Sequence, residues 1–148
     1  MTKLNKPGSV RNYILRSFLI NYKHYEPYLF WPNEKYFGEF EPKVKEILAS
    51  SDTLVILNTH QGVIPYQGPF NLFSKEKIYG WTFGNLKDRS VYTVYVPKGL
   101  QGQGFGKELI ERLYIDFEEP PEMKIVFPTR KVFNFIKHTL GGRCIIKA

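Results

Sequence analysis

The stretch Val91-Tyr92-Thr93-Val94-Tyr95-Val96-Pro97-Lys98-Gly99-Leu100-Gln101-Gly102-Gln103-Gly104-Phe105-Gly106-Lys107 decides how this chain reads. Its first six residues are β-branched or aromatic, a composition that fits a pleated, half-buried strand. Three glycines in five residues follow, at 102, 104 and 106. Beyond them, Leu109, Ile110, Leu113, Tyr114 and Phe117 recur at the spacing of a helix with one buried stripe. A glycine-rich loop therefore joins a strand directly to a helix. The N–H groups of a helix's first turn have no helical partners and carry partial positive charge, so they attract phosphate. Glycine lets the backbone curl and come close to such a ligand. A tight strand-to-helix turn with no ligand is the plainer alternative; the density of glycine favours phosphate.

Outward from this loop the chain alternates helical and extended patterns. Val10, Ile14, Phe18 and Tyr22 share one helical face over Ser9 to Tyr22, with Ser9 as N-cap. Pro42 reads as the first residue of a second helix whose Val44, Ile47 and Leu48 face inward and which Asp52 ends. Thr53 to Leu57 and Lys77 to Phe83 read as strands, with turn chemistry at Gly84-Asn85 and Lys87-Asp88. After the central helix, which Pro120-Pro121 is expected to end, come a short strand at Lys124 to Phe127 and a helix over Arg130 to Leu140. Gly141-Gly142 stops that helix, and Cys144 to Ile146 is a last strand. This order is that of an α/β or α+β domain spanning residues 1–148.

Composition narrows the class. A length of 148 residues suits one domain. A hydrophobic share of 43% and an aromatic share of 16% are too high for a disordered chain. The single cysteine, Cys144, excludes an intrachain disulfide scaffold and reads as a strand core residue. No apolar run is long enough to span a bilayer, and the first residues lack the apolar core of a secretion signal, so a soluble cytoplasmic protein is expected. The net charge of +7 points to an anionic partner without naming it. It is unevenly spread: Met123 to Ala148 holds six basic residues and no acidic one.

Among glycine-loop motifs, the P-loop fails because Gly106-Lys107 is followed by Glu108 and position 101 is not glycine. The dinucleotide fingerprint fails because position 107 is lysine. Gln101-Gly102-Gln103-Gly104-Phe105-Gly106 instead fits Gln/Arg-x-x-Gly-x-Gly/Ala, and between a strand and a helix it resembles motif A of the GNAT superfamily of N-acetyltransferases. The resemblance covers roughly Ile78 to Ile146. It implies a mixed, mostly antiparallel sheet with helices on both faces and a V-shaped split between the fourth and fifth strands. It also implies acetyl-CoA as cosubstrate, with backbone N–H groups from Gln101 through Gly102, Gln103, Gly104, Phe105 and Gly106 to Lys107 on the pyrophosphate. Backbone groups of Tyr95 and Val96 would pair with the pantetheine arm, and a strand N–H would polarise the thioester carbonyl for direct attack by an amine. Lys107, with Arg130 or Lys131, would neutralise CoA phosphates; solvated basic residues are the equal alternative.

Two departures stand out. The family's fourth helix often supplies a tyrosine that protonates the leaving thiolate. Here that position falls on Lys137, or on His138 if Gly142 is the counterpart glycine, and no tyrosine lies beyond Met123. An imidazole suits proton transfer near neutrality, so His138 is the candidate acid; a surface histidine complementing the helix dipole is the alternative. The chain also leaves room for one terminal strand where the family has a seventh, so a partner chain, such as a second copy in a homodimer, would fill that place unless the acceptor side is open. Glu76, His60 and Asp88 are the candidate general bases. The aromatic residues from Tyr25 to Phe40, with Pro65, Tyr66, Phe70 and Phe73, would line the side that takes the unknown amine acceptor, or fill the core. No metal is expected. Two other readings stay open: a CoA-binding or interaction protein of the same fold without chemistry, and, ranked last, a basic nucleic-acid binder.

Overall fold

The computed structural model of the chain describes residues 13–18, 37–66, 78–126 and 130–146. Residues 13–18 are helical (α1), with Ile14 and Phe18 fully buried on the face that their four-residue spacing predicts; Val10 and Tyr22 lie outside the described residues. The second helix (α2) spans Phe37–Ala49 and buries Val44 and Leu48. It starts five residues before Pro42, which therefore sits inside it and does not open it. Proline lacks the N–H that would bond the carbonyl four residues back and its ring crowds that carbonyl, so a helix can run through it at a cost of about 3 kcal/mol.

Among the described residues six strands form one sheet in the order β2-β1-β3-β4-β5-β6. They are β1 (Thr53–Thr59), β2 (Gly62–Tyr66), β3 (Ile78–Asn85), β4 (Ser90–Tyr95), β5 (Met123–Ile125) and β6 (Cys144–Ile146). The first four pair antiparallel, whereas β4 with β5 and β5 with β6 pair parallel. The architecture is thus α/β, a mixed sheet flanked by helices. β2 escapes the sequence reading because Pro65 looks like a breaker; as an edge strand it tolerates the missing N–H. Parallel neighbours need crossovers, and these are helices α3 (Phe105–Asp116) and α4 (Arg130–Thr139).

Each sheet face has its own core. On one side Trp81 and Phe83 of β3 meet Phe18 of α1, with Val44 and Leu48 of α2. On the other, Leu109, Ile110 and Leu113 of α3 and Val132 and Ile136 of α4 cover Ile56, Val91, Val94 and Ile125. Trp81 is fully buried and still satisfied, because its Nε1–H donates to Ser17 Oγ at 2.9 Å. Gly84 allows α3 to close on the sheet: a Cβ there would run into the Ser90 carbonyl oxygen and the tip of the Phe117 ring.

Helix α3 ends at Asp116, before the Pro120-Pro121 pair expected to end it. Glu118 and Glu119 turn the chain with φ of 62° and 51°, and the Glu119 N–H returns to the Tyr114 carbonyl, so the helix is closed by its own cap. Helix α4 does stop at the expected glycines, with Gly141 and Gly142 at φ of 63° and 88°. Among the described residues no helix is long and apolar enough to cross a membrane.

Candidate functional site

β4 carries an extra residue. Phe83 pairs with Thr93 but Gly84 pairs with Val91, so Tyr92 is bulged out of register. On its other edge β4 pairs with β5 only at Ser90–Lys124 and Val91–Ile125, closed by the Val126 N–H on the Val91 carbonyl at 2.9 Å. Among the described residues the β4–β5 ladder reaches Val91, and β4 runs on to Tyr95.

The loop that follows turns through a single 3-10 turn at Lys98–Leu100, and the Gln101 side-chain amide donates to the Val96 carbonyl at 3.0 Å. Gly102 and Gly104 take φ of 87° and 88°, the left-handed region that glycine enters without strain. Gly104 is the N-cap of α3 and supplies no capping side chain, so the N–H groups of Phe105, Gly106 and Lys107 stay without helical partners. Two contacts fix this helix start. Asn58, buried at the end of β1, donates from Nδ2 to the Phe105 carbonyl at 3.2 Å, and the Phe105 ring packs on Tyr79 with centroids 5.0 Å apart. Asn58 is absent from the sequence reading; one polar side chain closing an apolar strand is the signal that points to it.

A cavity of about 660 Å³ opens where β4, the loop, the start of α3 and one face of α4 meet. Of the residues singled out from the sequence, Tyr95, Val96, Gln101, Gly102, Gly104, Phe105, Gly106, Lys107 and His138 line it. Gln103 is exposed and does not. Val94, Leu100, Val132 and Phe135 add apolar wall, and Lys131 adds a second lysine. Among the described residues no carboxylate lines the cavity. The arrangement offers donors and positive charge at one place and an apolar trough beside it, which suits an anion joined to a less polar arm.

The structure distinguishes the two candidate positions on α4. Lys131, Phe135 and His138 form one stripe facing the cavity, whereas Lys137 lies off it with Nζ 5.9 Å above the Phe133 ring. His138 occupies the last turn of α4. Of the candidate bases, Asp88 lies in the turn before β4, at the opposite end of that strand from the loop, and His60 is an exposed turn residue outside the lining. Glu76 lies outside the described residues, as do Phe70, Phe73 and the side chains of the Tyr25 to Phe40 stretch. Pro65 and Tyr66 belong to β2, three strands from β4 across the sheet. The Arg130 side chain is likewise outside the description.

Burial, and secondarily the neighbouring Tyr95, push the Tyr13 phenol up to about 12. Burial raises the Cys144 thiol while Lys137 pulls the other way, so the buried thiol is disfavoured from ionising. Among the described residues no cluster of three or more His, Cys, Asp or Glu side chains is placed to hold a metal ion. No protein-family model matches this chain, and no curated protein or solved structure matches it either.

Proposed function

We propose that the chain is an acetyl-CoA-dependent N-acetyltransferase that transfers the acetyl group to an amine by direct attack. One observation carries the reading: a β4–glycine loop–α3 segment whose helix-start N–H groups and two lysines open onto a cavity beside the C-terminal end of β4. In this reading the parting of β4 from β5 is the V-shaped split of the GNAT fold, and the sheet is of that kind. The N–H groups of Phe105 to Lys107 hold the pyrophosphate, and Lys107 and Lys131 balance its charge. Backbone groups of Tyr95 and Val96 pair with the pantetheine arm. A β4 N–H hydrogen-bonds the thioester oxygen as charge develops there. The amine nitrogen bonds to the carbonyl carbon, the carbon–sulfur bond breaks, and the proton lost by the amine balances the one gained by the thiolate. His138 is the cavity-lining imidazole available to protonate that sulfur.

Calorimetric titration with CoA tests the cavity, and thiol release from acetyl-CoA with polyamines, peptides, aminoglycosides and amino acids tests the chemistry. Gly104→Trp is expected to abolish CoA binding by removing a left-handed N-cap; unchanged affinity refutes the loop assignment. CoA binding with no thiol release across the panel favours a second reading, a CoA-binding protein without catalysis, which the absence of any tyrosine on α4 supports.

A further inference from the structure

Asn58 is a buried amide in an apolar setting. It follows Val55, Ile56 and Leu57, all buried, and is itself 3% exposed. Its ladder neighbour on β3 is Gly80, where a Cβ would stand 3.0 Å from Leu109 Cδ1 of α3. Helix α3 therefore lies directly over this point of the sheet. A buried amide N–H needs an acceptor, and Asn58 Nδ2 finds it in the Phe105 carbonyl, at 3.2 Å.

That bond holds the peptide unit between Phe105 and Gly106. The unit is planar and trans, so its carbonyl and its N–H point in opposite directions. Fixing the Phe105 carbonyl therefore fixes the Gly106 N–H, and Gly106 lines the cavity. The bond also polarises the unit, because a donor on the carbonyl strengthens the N–H as a donor at the other end. The usual way to secure a helix start is a Ser, Thr, Asp or Asn at the N-cap, whose oxygen accepts from the second or third N–H of the helix. In α3 these belong to Gly106 and Lys107, and the N-cap is Gly104, which has no side chain to take either. The Glu108 N–H is the one that bonds back to the Gly104 carbonyl, at 3.1 Å. The helix start is thus held from behind, through a carbonyl, and its donors are left to a ligand.

We infer that Asn58 is a positioning residue for the diphosphate: it aims the Gly106 N–H at the anion without touching the anion itself. This deepens the proposed reading of the glycine loop and rests on it. The test follows the full chain by calorimetry and by proton–nitrogen NMR as CoA is added. Asn58→Leu keeps similar bulk and removes the donor; Asn58→Asp keeps the shape and sets a carboxylate against the carbonyl. Each is expected to weaken CoA about tenfold, the low end for one hydrogen bond to a charged group. Each should also shrink the response of the Gly106 amide to CoA, with the Leu109, Ile110 and Leu113 amides unmoved in the free proteins. CoA affinity within about twofold of the unsubstituted chain overturns the inference. So does displacement of the Leu109, Ile110 and Leu113 amides along with Gly106, because Asn58 then only supports the helix. Should neither variant fold, the unsubstituted chain decides: CoA must move both the Gly106 amide and, through the shared peptide unit, the Asn58 side-chain amide, and anything less overturns the inference. If the unsubstituted chain binds no CoA, the acetyltransferase reading falls, and inorganic pyrophosphate separates the two claims. Pyrophosphate that moves both amides keeps the positioning role; anything less removes it.

Discussion

Replacing Gly106 with alanine tests the packing that shapes the cavity without reference to any ligand. The added Cβ would stand 2.8 Å from Phe135 Cζ and 3.1 Å from Cε2, so the ring must withdraw by about 0.6 Å to reach an ordinary 3.4 Å contact. Overpacking of this kind costs about 1–3 kcal/mol in a closed core, and the low end applies here because the struck atoms are the tip of a ring that is 38% exposed. Against this, alanine is favoured over glycine inside a helix by about 1 kcal/mol. Gly106→Ala is therefore expected to change stability by less than about 0.5 kcal/mol. With Phe135→Ala in place the collision is gone and only the helix preference remains, so the same substitution should stabilise by about 1 kcal/mol. The coupling energy is about 1 kcal/mol, above the ~0.3–0.5 kcal/mol within which independent sites add. Urea denaturation of the four proteins reads it as a midpoint displacement of about 0.5 M for a slope near 2 kcal/mol/M. Additivity would show that Phe135 does not rest on Gly106.

Ser17→Ala should cost about 1–3 kcal/mol, because it strips the acceptor from the fully buried Trp81 indole; Ser17→Thr should recover most of that, and a loss below about 0.5 kcal/mol in denaturation would refute the bond's role. The Tyr13 phenol is raised in the folded chain from 10.0 to about 12, so its contribution to stability is complete below about pH 10 and disappears as pH rises through about 12. Tyr13→Phe should flatten the alkaline fall in thermal midpoint across that window; an unchanged slope counts against the burial of the hydroxyl. The Cys144 thiol should react with Ellman's reagent only as the chain unfolds, whereas native-state labelling at the rate of a free thiol would contradict its burial.

Local pattern alone was enough for several elements. Strand β4, the glycine turn and α3 are legible because each depends on residues within a few positions of one another: branched side chains, glycines at left-handed φ, and a stripe at helical spacing. The same holds for the stop of α4 at Gly141-Gly142 and for the inward Val44 and Leu48 of α2. Pro42 lies inside α2 and Pro120-Pro121 beyond the end of α3, because a proline restricts only its own neighbourhood and does not by itself fix where a helix starts or stops. Strand β2 was hidden because Pro65 is tolerable only at an edge, and being an edge is a property of the sheet.

The candidate site divides along the same line. The sequence determined that free N–H groups, glycines and a lysine would gather at one helix start. Only the tertiary structure decided that His138 and not Lys137 faces the cavity, that Phe135 borders it, that Asn58 anchors α3 across 47 positions, and that β5 runs parallel to β4 at Ser90 and Val91. The physical reason is that a helix's facing and a ladder's length are set by long-range packing. Val132 and Ile136 must reach the core, and that rotation of α4 alone turns Lys131, Phe135 and His138 toward the loop.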